Sequence, residues 1–144
     1  MSDFEPYRPY GGWRRCLVDL AVFETLGELR AARALDASTD VNWWLRNDPV
    51  VFRIDTPVGG FEPDFLYERA KNPIRGILEI KGDFLWDGPQ SKDRRKAQAA
   101  CSWTEAGNAA STGPPWEFAL VIDDDVPGAP HIDALRAVAC SRVP

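Results

Sequence analysis

The chain has a single histidine and three cysteines among 144 residues, and that scarcity excludes several chemistries at once. His131 has no second histidine or cysteine at a ligand spacing, so it reads as a surface residue and not as part of a zinc site. Cys16, Cys101 and Cys140 are odd in number, widely spaced and without a Cys-x-x-Cys pair, the pattern of reduced thiols in a cytosolic protein. No apolar run is long enough to span a membrane, and Met1-Ser2-Asp3-Phe4-Glu5 lacks the basic start and apolar core of a secretory signal. A cytoplasmic location is therefore expected. Glycine-rich phosphate loops are missing as well, which leaves an intrinsic ATPase unsupported, and no internal repeat is visible. Positive charge is short: 17 Lys and Arg against 22 Asp and Glu leave a net charge of −5.

What is present suits one compact unit. The hydrophobic and charged fractions are ordinary for a globular protein, and a chain of this length can bury a sizeable core. The expected organisation is an irregular Pro-, Tyr- and Gly-rich arm over 1–12, followed by one domain over 13–144.

The stretch 61–87 organises the rest. Phe61-Glu62-Pro63-Asp64-Phe65-Leu66-Tyr67-Glu68 and Gly76-Ile77-Leu78-Glu79-Ile80-Lys81-Gly82 each read as a strand, and the loop between them carries charge and an Asn72-Pro73 breaker. A hairpin is the simplest structure. Alternation along the second strand puts Glu79 and Lys81 on one face and Leu78 and Ile80 on the other. If Asp64 points the same way from the first strand, three ionisable groups converge. Two carboxylates close together in partial burial repel, so one takes up a proton or a divalent cation lies between them. Carboxylate oxygens are the ligands Mg²⁺ prefers, and a nearby ammonium can orient a water or offset charge on a transferring phosphate. The plainer alternative is a solvated strand face on which Glu79 and Lys81 pair only with each other.

Before the hairpin, Trp13, Leu17, Leu20, Glu24, Gly27, Ala31 and Leu35 fall on one stripe of a helix predicted over 13–35. Glu24 is the only charge in that stripe, and on the residues alone the plainer reading is a boundary glutamate whose stem packs while its carboxylate reaches water. A turn is expected over 36–40, then strands over 41–46 and 50–55 on either side of Asn47-Asp48-Pro49. Trp43 and Trp44 cannot both face the core of a strand, so one packs beneath the sheet and the other lies near an edge. Residues 56–60 form a turn. After the hairpin, 84–90 reads as a loop in which Asp87 serves the turn. A helix capped by Ser91 or Asp93 runs to about 105, with Lys92, Lys96, Ala99, Ala100 and Trp103 on one face. Lys96 either snorkels to solvent or points at a bound phosphate. A loop over 107–115 leads to a continuous apolar strand over 117–123, of the kind buried on both faces. Asp123-Asp124-Asp125 reads as a solvated acidic turn, and 132–140 as a short helix.

Pro63-Asp64 followed by Glu79-Ile80-Lys81 resembles the signature of the PD-(D/E)XK nuclease superfamily. The resemblance is greatest to the nuclease part of type III restriction subunits and related helicase-linked nucleases. It rests on Phe61-x-Pro63-Asp64-Phe65, Glu79-x-Lys81-Gly82, a preceding Trp44-Leu45-Arg46-Asn47, and a following helix with Asp93, Lys96, Ala99-Ala100 and Trp103. The resemblance implies an α/β fold, a restriction-endonuclease-like mixed central sheet flanked by helices. It implies Mg²⁺, with Mn²⁺ able to substitute, held by Asp64, Glu79 and the backbone carbonyl of Ile80. It also places Glu24 at the edge of the metal site, makes Lys81 the residue that orients the attacking water, and directs Lys96 at the substrate phosphate. The Gln-x-x-x-Tyr motif of many superfamily exonucleases is absent, since Ser102 stands four residues after Gln98.

The expected activity is metal-dependent hydrolysis of phosphodiester bonds, with DNA favoured, in a restriction or phage-defence setting. An acidic chain grips nucleic acid poorly by itself, because phosphate neutralisation supplies most non-specific affinity. The expected partners are accordingly a helicase or translocase domain or subunit, or a second copy in a homodimer, and no membrane. The alternative is a catalytically inactive domain of the same fold that serves as a docking or regulatory module.

Overall fold

A computed structural model describes residues 4–48, 50–82, 92–110 and 113–139. The chain is a mixed α/β domain. Helix α1 (Leu26–Ala37) is followed by strands β1 (Val41–Arg46), β2 (Ile54–Thr56), β3 (Gly59–Phe61), β4 (Phe65–Arg69) and β5 (Arg75–Lys81). Helix α2 (Lys92–Ala110), strand β6 (Trp116–Ile122), a 3-10 helix (Asp123–Gly128) and helix α3 (Ile132–Ala137) complete it. The main sheet has the order β1-β4-β5-β6, antiparallel between its first three strands and parallel between β5 and β6. A separate ribbon pairs β2 with β3.

The hairpin expected over 61–82 is the centre of this sheet, with Phe65 opposite Leu78 and Tyr67 opposite Gly76. Gly76 is required there, because a methyl group would overlap the Tyr67 ring. The predicted first strand is broken into β3 and β4 at Glu62-Pro63-Asp64, where Pro63 has no N–H to continue a ladder. The two faces of the sheet bury different sets of residues. Phe65, Tyr67, Leu78, Ile80 and Val121 face α1 and α3 together with Phe23, Leu35 and Trp44. Leu66 and Ile77 face the other way, with Ile54, Phe61 and Ala100. Trp44 is fully buried and its Nε1 donates to Asp36 Oδ1 (3.0 Å), whereas Trp43 is half-buried and donates to Glu68 Oε2 (3.1 Å). That division matches the alternation expected of a strand.

The helix predicted over 13–35 forms only from Leu26. Residues before it are irregular, bending at 14–15, 17–19 and 24–25 and tied down at isolated points: Tyr10 and Ala21 exchange backbone hydrogen bonds of 2.8 and 2.9 Å, and Cys16 bridges to Trp44 of β1 in parallel, with Leu17 N–H donating to Trp44 O (3.0 Å). Asp36 accepts from the Arg14 and Arg15 N–H groups at 2.8–3.0 Å, which supplies these donors without a helix. Burial then alternates, with Ala21 and Phe23 inside and Leu20, Val22 and Glu24 outside. The helix starts where a capping pattern begins: Thr25 Oγ1 accepts from Glu28 N–H (3.1 Å), and Glu28 Oε1 accepts from Glu24 N–H (3.1 Å).

Other boundaries move for similar reasons. The strand predicted over 50–55 shrinks to Ile54–Thr56, because Asp48 Oδ1 captures Val50 N–H (2.9 Å) in a turn that leaves Val50 exposed. Helix α2 runs past 107 to Ala110, and the Asn108 side chain holds both the N–H and the carbonyl of Trp116 at 2.7 Å, as a neighbouring strand would. On α2 the buried positions are Ala97, Ala100 and Thr104, with Lys96 and Trp103 beside them and Lys92 exposed. Of the acidic triplet, Asp124 and Asp125 are exposed, while Asp123 Oδ1 is buried against Gly27 of α1. His131 is exposed and caps α3, its Nδ1 accepting from Ala134 N–H (3.3 Å). The loop with Asp87, the Ser91 cap, the Asp93 side chain and Cys140 lie outside the described residues. No helix among the described residues is long and apolar enough to cross a membrane.

Candidate active site

Beyond the Phe65–Leu78 pair the β4–β5 ladder meets Pro63, and side chains take over its hydrogen bonds. Asp64 N–H donates to Glu79 Oε1 (2.9 Å), and Ile80 N–H donates to Asp64 Oδ2 (2.8 Å). Each carboxyl is thus held by the backbone of the other strand. Lys81 Nζ lies 3.3 Å from Glu79 Oε2. Asp64, Glu79 and Lys81, predicted as a cluster, are brought together, and their side chains keep only 14, 6 and 20% of their surface accessible.

Sequence reasoning missed the fourth and fifth members. Arg46, from the end of β1, sets Nη2 2.9 Å from Glu28 Oε1 and 3.7 Å from Asp64 Oδ1. Its Nε donates to the same Glu28 oxygen (3.2 Å), and its Nη1 donates to the carbonyls of Asn47 and Asp64 (3.1 Å each). Asn47 N–H in turn donates to Asp64 O (2.7 Å). The signal available for Glu28 was Thr25-x-x-Glu28, a capping pattern that puts a glutamate in the first turn of a helix.

Glu24 joins this network only through its backbone, its N–H donating to Glu28 Oε1 (3.1 Å), and the residue is exposed on the segment before α1. It lines a groove of about 490 Å³ together with Arg46, Asp64, Glu79 and Lys81. A smaller cleft of about 150 Å³ shares Glu79 and Lys81 and is lined on its other side by Gly60, Phe61 and Lys96. Lys96 lies close over Gly59, where a Cβ would come within 3.2 Å of its Cε; the backbone φ of +124° is what calls for glycine there. Ile80 sits between Glu79 and Lys81 with its side chain in the core on the opposite face.

No family model, curated protein or solved structure matches the chain.

The electrostatics follow from crowding acids in a poorly solvated place. Burial raises the Glu79 carboxyl well above its ordinary value, the Asp64 charge adds to this, and Lys81 pulls against it. Asp64 is raised by burial, with Arg46 and the Ile80 N–H opposing. Glu28 is pushed up to about 6 by burial and by the Asp64 charge, against Arg46. A proton shared between Asp64 and Glu79 relieves their repulsion, and Glu79 is the better place for it.

A divalent cation relieves the same repulsion in place of that proton, and hard oxygen donors suit Mg²⁺. The residues present therefore fit such an ion as a pair of carboxylates. Among the described residues no group of three Asp, Glu, His or Cys side chains is arranged to hold a metal, so backbone carbonyl and water oxygens would complete the coordination. Asn47 Oδ1, in the groove wall, is a buried acceptor with no hydrogen-bond partner among the described residues.

Proposed function

We propose that this chain is a metal-dependent nuclease with a restriction-endonuclease-like fold, hydrolysing phosphodiester bonds, in DNA by preference. One observation carries the reading: Asp64 and Glu79 lock each other across the β4–β5 hairpin with the Lys81 ammonium 3.3 Å from Glu79. Asp64, Glu79 and the Ile80 carbonyl would hold Mg²⁺ or Mn²⁺, with Glu24 reaching it from the groove rim directly or through water. When bound, such an ion polarises a phosphoryl oxygen and acidifies a water. Lys81 orients the attacking water and offsets negative charge as it grows on the phosphate. Lys96, across the smaller cleft, faces the phosphate from the α2 side.

The net charge of −5 supports a division of labour in which a translocase domain or subunit, or a second copy, delivers the nucleic acid. The same charge favours a second reading, a docking or regulatory module of this fold without catalysis. The deciding experiment offers labelled single- and double-stranded DNA and RNA with Mg²⁺ or Mn²⁺, to the chain alone and with a translocase. Cleavage that needs the metal and is lost on chelation is expected. Its absence under every condition transfers the site to the docking reading.

A further inference from the structure

We propose that Arg46 takes the place of a second cation, so that the carboxyl cluster accepts one divalent ion and not two. The inference rests on the metal-dependent reading above and adds to it the number of ions. Three carboxyl groups from three parts of the chain are linked in series here: Arg46 joins Glu28 on α1 to Asp64 before β4, and paired backbone hydrogen bonds join Asp64 to Glu79 on β5. Arg46 stands between the first two, with Nη2 2.9 Å from Glu28 Oε1 and 3.7 Å from Asp64 Oδ1. An ion bridging Glu28 and Asp64 would need the oxygens that the guanidinium already faces.

Arg46 is not easily displaced. Its Nε and Nη2 are held by Glu28, its Nη1 donates to two backbone carbonyls, and its plane lies over the Phe65 ring at 5.8 Å. A guanidinium keeps its charge at any physiological pH and presents its donors in a rigid fork, which suits a fixed structural cation better than a lysine does.

The charge balance agrees. With every carboxyl ionised, as an ion in place of the shared proton requires, Glu24, Glu28, Asp64 and Glu79 carry four negative charges, and Arg46, Lys81 and Lys96 carry three positive ones, which leaves one net negative charge. A single divalent ion turns this into one net positive charge, and the phosphodiester anion of a nucleic acid cancels it. A second divalent ion would add two more positive charges to a poorly solvated cluster with no anion to answer them. Arg46 is thus a positioning residue that orients Asp64 and sets the stoichiometry of the site.

The test counts Mn²⁺ ions bound per chain from the loss of the free-ion electron paramagnetic resonance signal, with Asp64→Asn as the blank for ions held elsewhere on this acidic surface. The parent is expected to bind one ion above the blank. Arg46→Gln, which keeps a donor for Glu28 but no charge, is expected to bind two, and Arg46→Lys is expected to return to one. Two ions in the parent or in Arg46→Lys overturn the inference, as does any count but two in folded Arg46→Gln; all of these leave the metal-dependent reading standing. No ion in the parent above the blank sinks that reading and the inference with it. Should Arg46→Gln not fold, the parent decides through the spectrum of its bound Mn²⁺: an isolated ion supports the inference and an exchange-coupled pair overturns it.

Discussion

Replacing Glu28 by Gln should stabilise the metal-free protein increasingly as the pH rises. Glu28 has only 5% of its side chain exposed, and its carboxyl is raised from 4.5 to about 6 by burial first and by the Asp64 charge second. A carboxyl whose value is raised on folding holds its proton more tightly in the folded chain than in the unfolded one. Stability is then complete below the unfolded value and is lost as the pH climbs from there through the folded value. A displacement of one pH unit is worth about 1.4 kcal/mol, so ionising Glu28 removes about 2 kcal/mol of stability, an order-of-magnitude figure. Gln keeps an oxygen to accept from Glu24 N–H and Arg46, but it does not titrate. Any fixed loss from the substitution is the same at every pH. Urea unfolding of both proteins in chelator, at steps between about pH 4 and about pH 8, isolates the titrating part as the change in their difference. That difference should move by about 2 kcal/mol in favour of Gln, mostly between about pH 4.5 and about pH 6. A flat difference, or one that moves towards Glu, would refute the account of Glu28 as a strained buried acid.

The metal-binding assignment predicts that Mg²⁺ or Mn²⁺ raises the melting temperature of the parent by selective binding to the folded state, and that Asp64→Asn loses this shift. An undiminished shift in Asp64→Asn would exclude that residue as a ligand. Lys81→Met should leave metal binding intact but lower single-turnover cleavage on the order of 10²–10³-fold, as loss of one charge-stabilising donor does. Cleavage at the parental rate would make the Lys81 mechanism wrong. Away from the site, Arg69 joins Asp40, Glu117 and Asp133 at 2.9, 3.1 and 2.8 Å, and Glu117 is largely buried. Glu117 keeps Arg136 at 3.1 Å and the Tyr67 hydroxyl, and Asp133 is exposed, so Arg69→Met should cost about 1.5–3 kcal/mol in urea unfolding, chiefly through the lost charge-assisted bonds to Glu117 and Asp40. A loss below about 1 kcal/mol would place this cluster with ordinary surface pairs.

The sequence by itself determined the features that depend on neighbouring residues. Alternation places Glu79 and Lys81 on one face of β5, and the Asn72-Pro73 breaker turns the chain back, so Asp64 returns to Glu79. The apolar run ahead of Asp123 became β6, buried beside β5. Tertiary structure decided whatever depends on partners distant in sequence. A helical stripe over 13–35 is visible in the residues, but Asp36 claims the Arg14 and Arg15 N–H groups and the edge of β1 claims that of Leu17, and the segment before Thr25 stays irregular. That choice moves Glu24 out to the groove rim and makes Glu28 the buried acid. No spacing rule shows that Glu28 meets Arg46, 18 residues away, because the meeting requires α1 to close over the end of β1. An isolated guanidinium or carboxyl is indifferent to its partner; the low-dielectric interior formed when α1 packs on the sheet makes this pairing decisive for both.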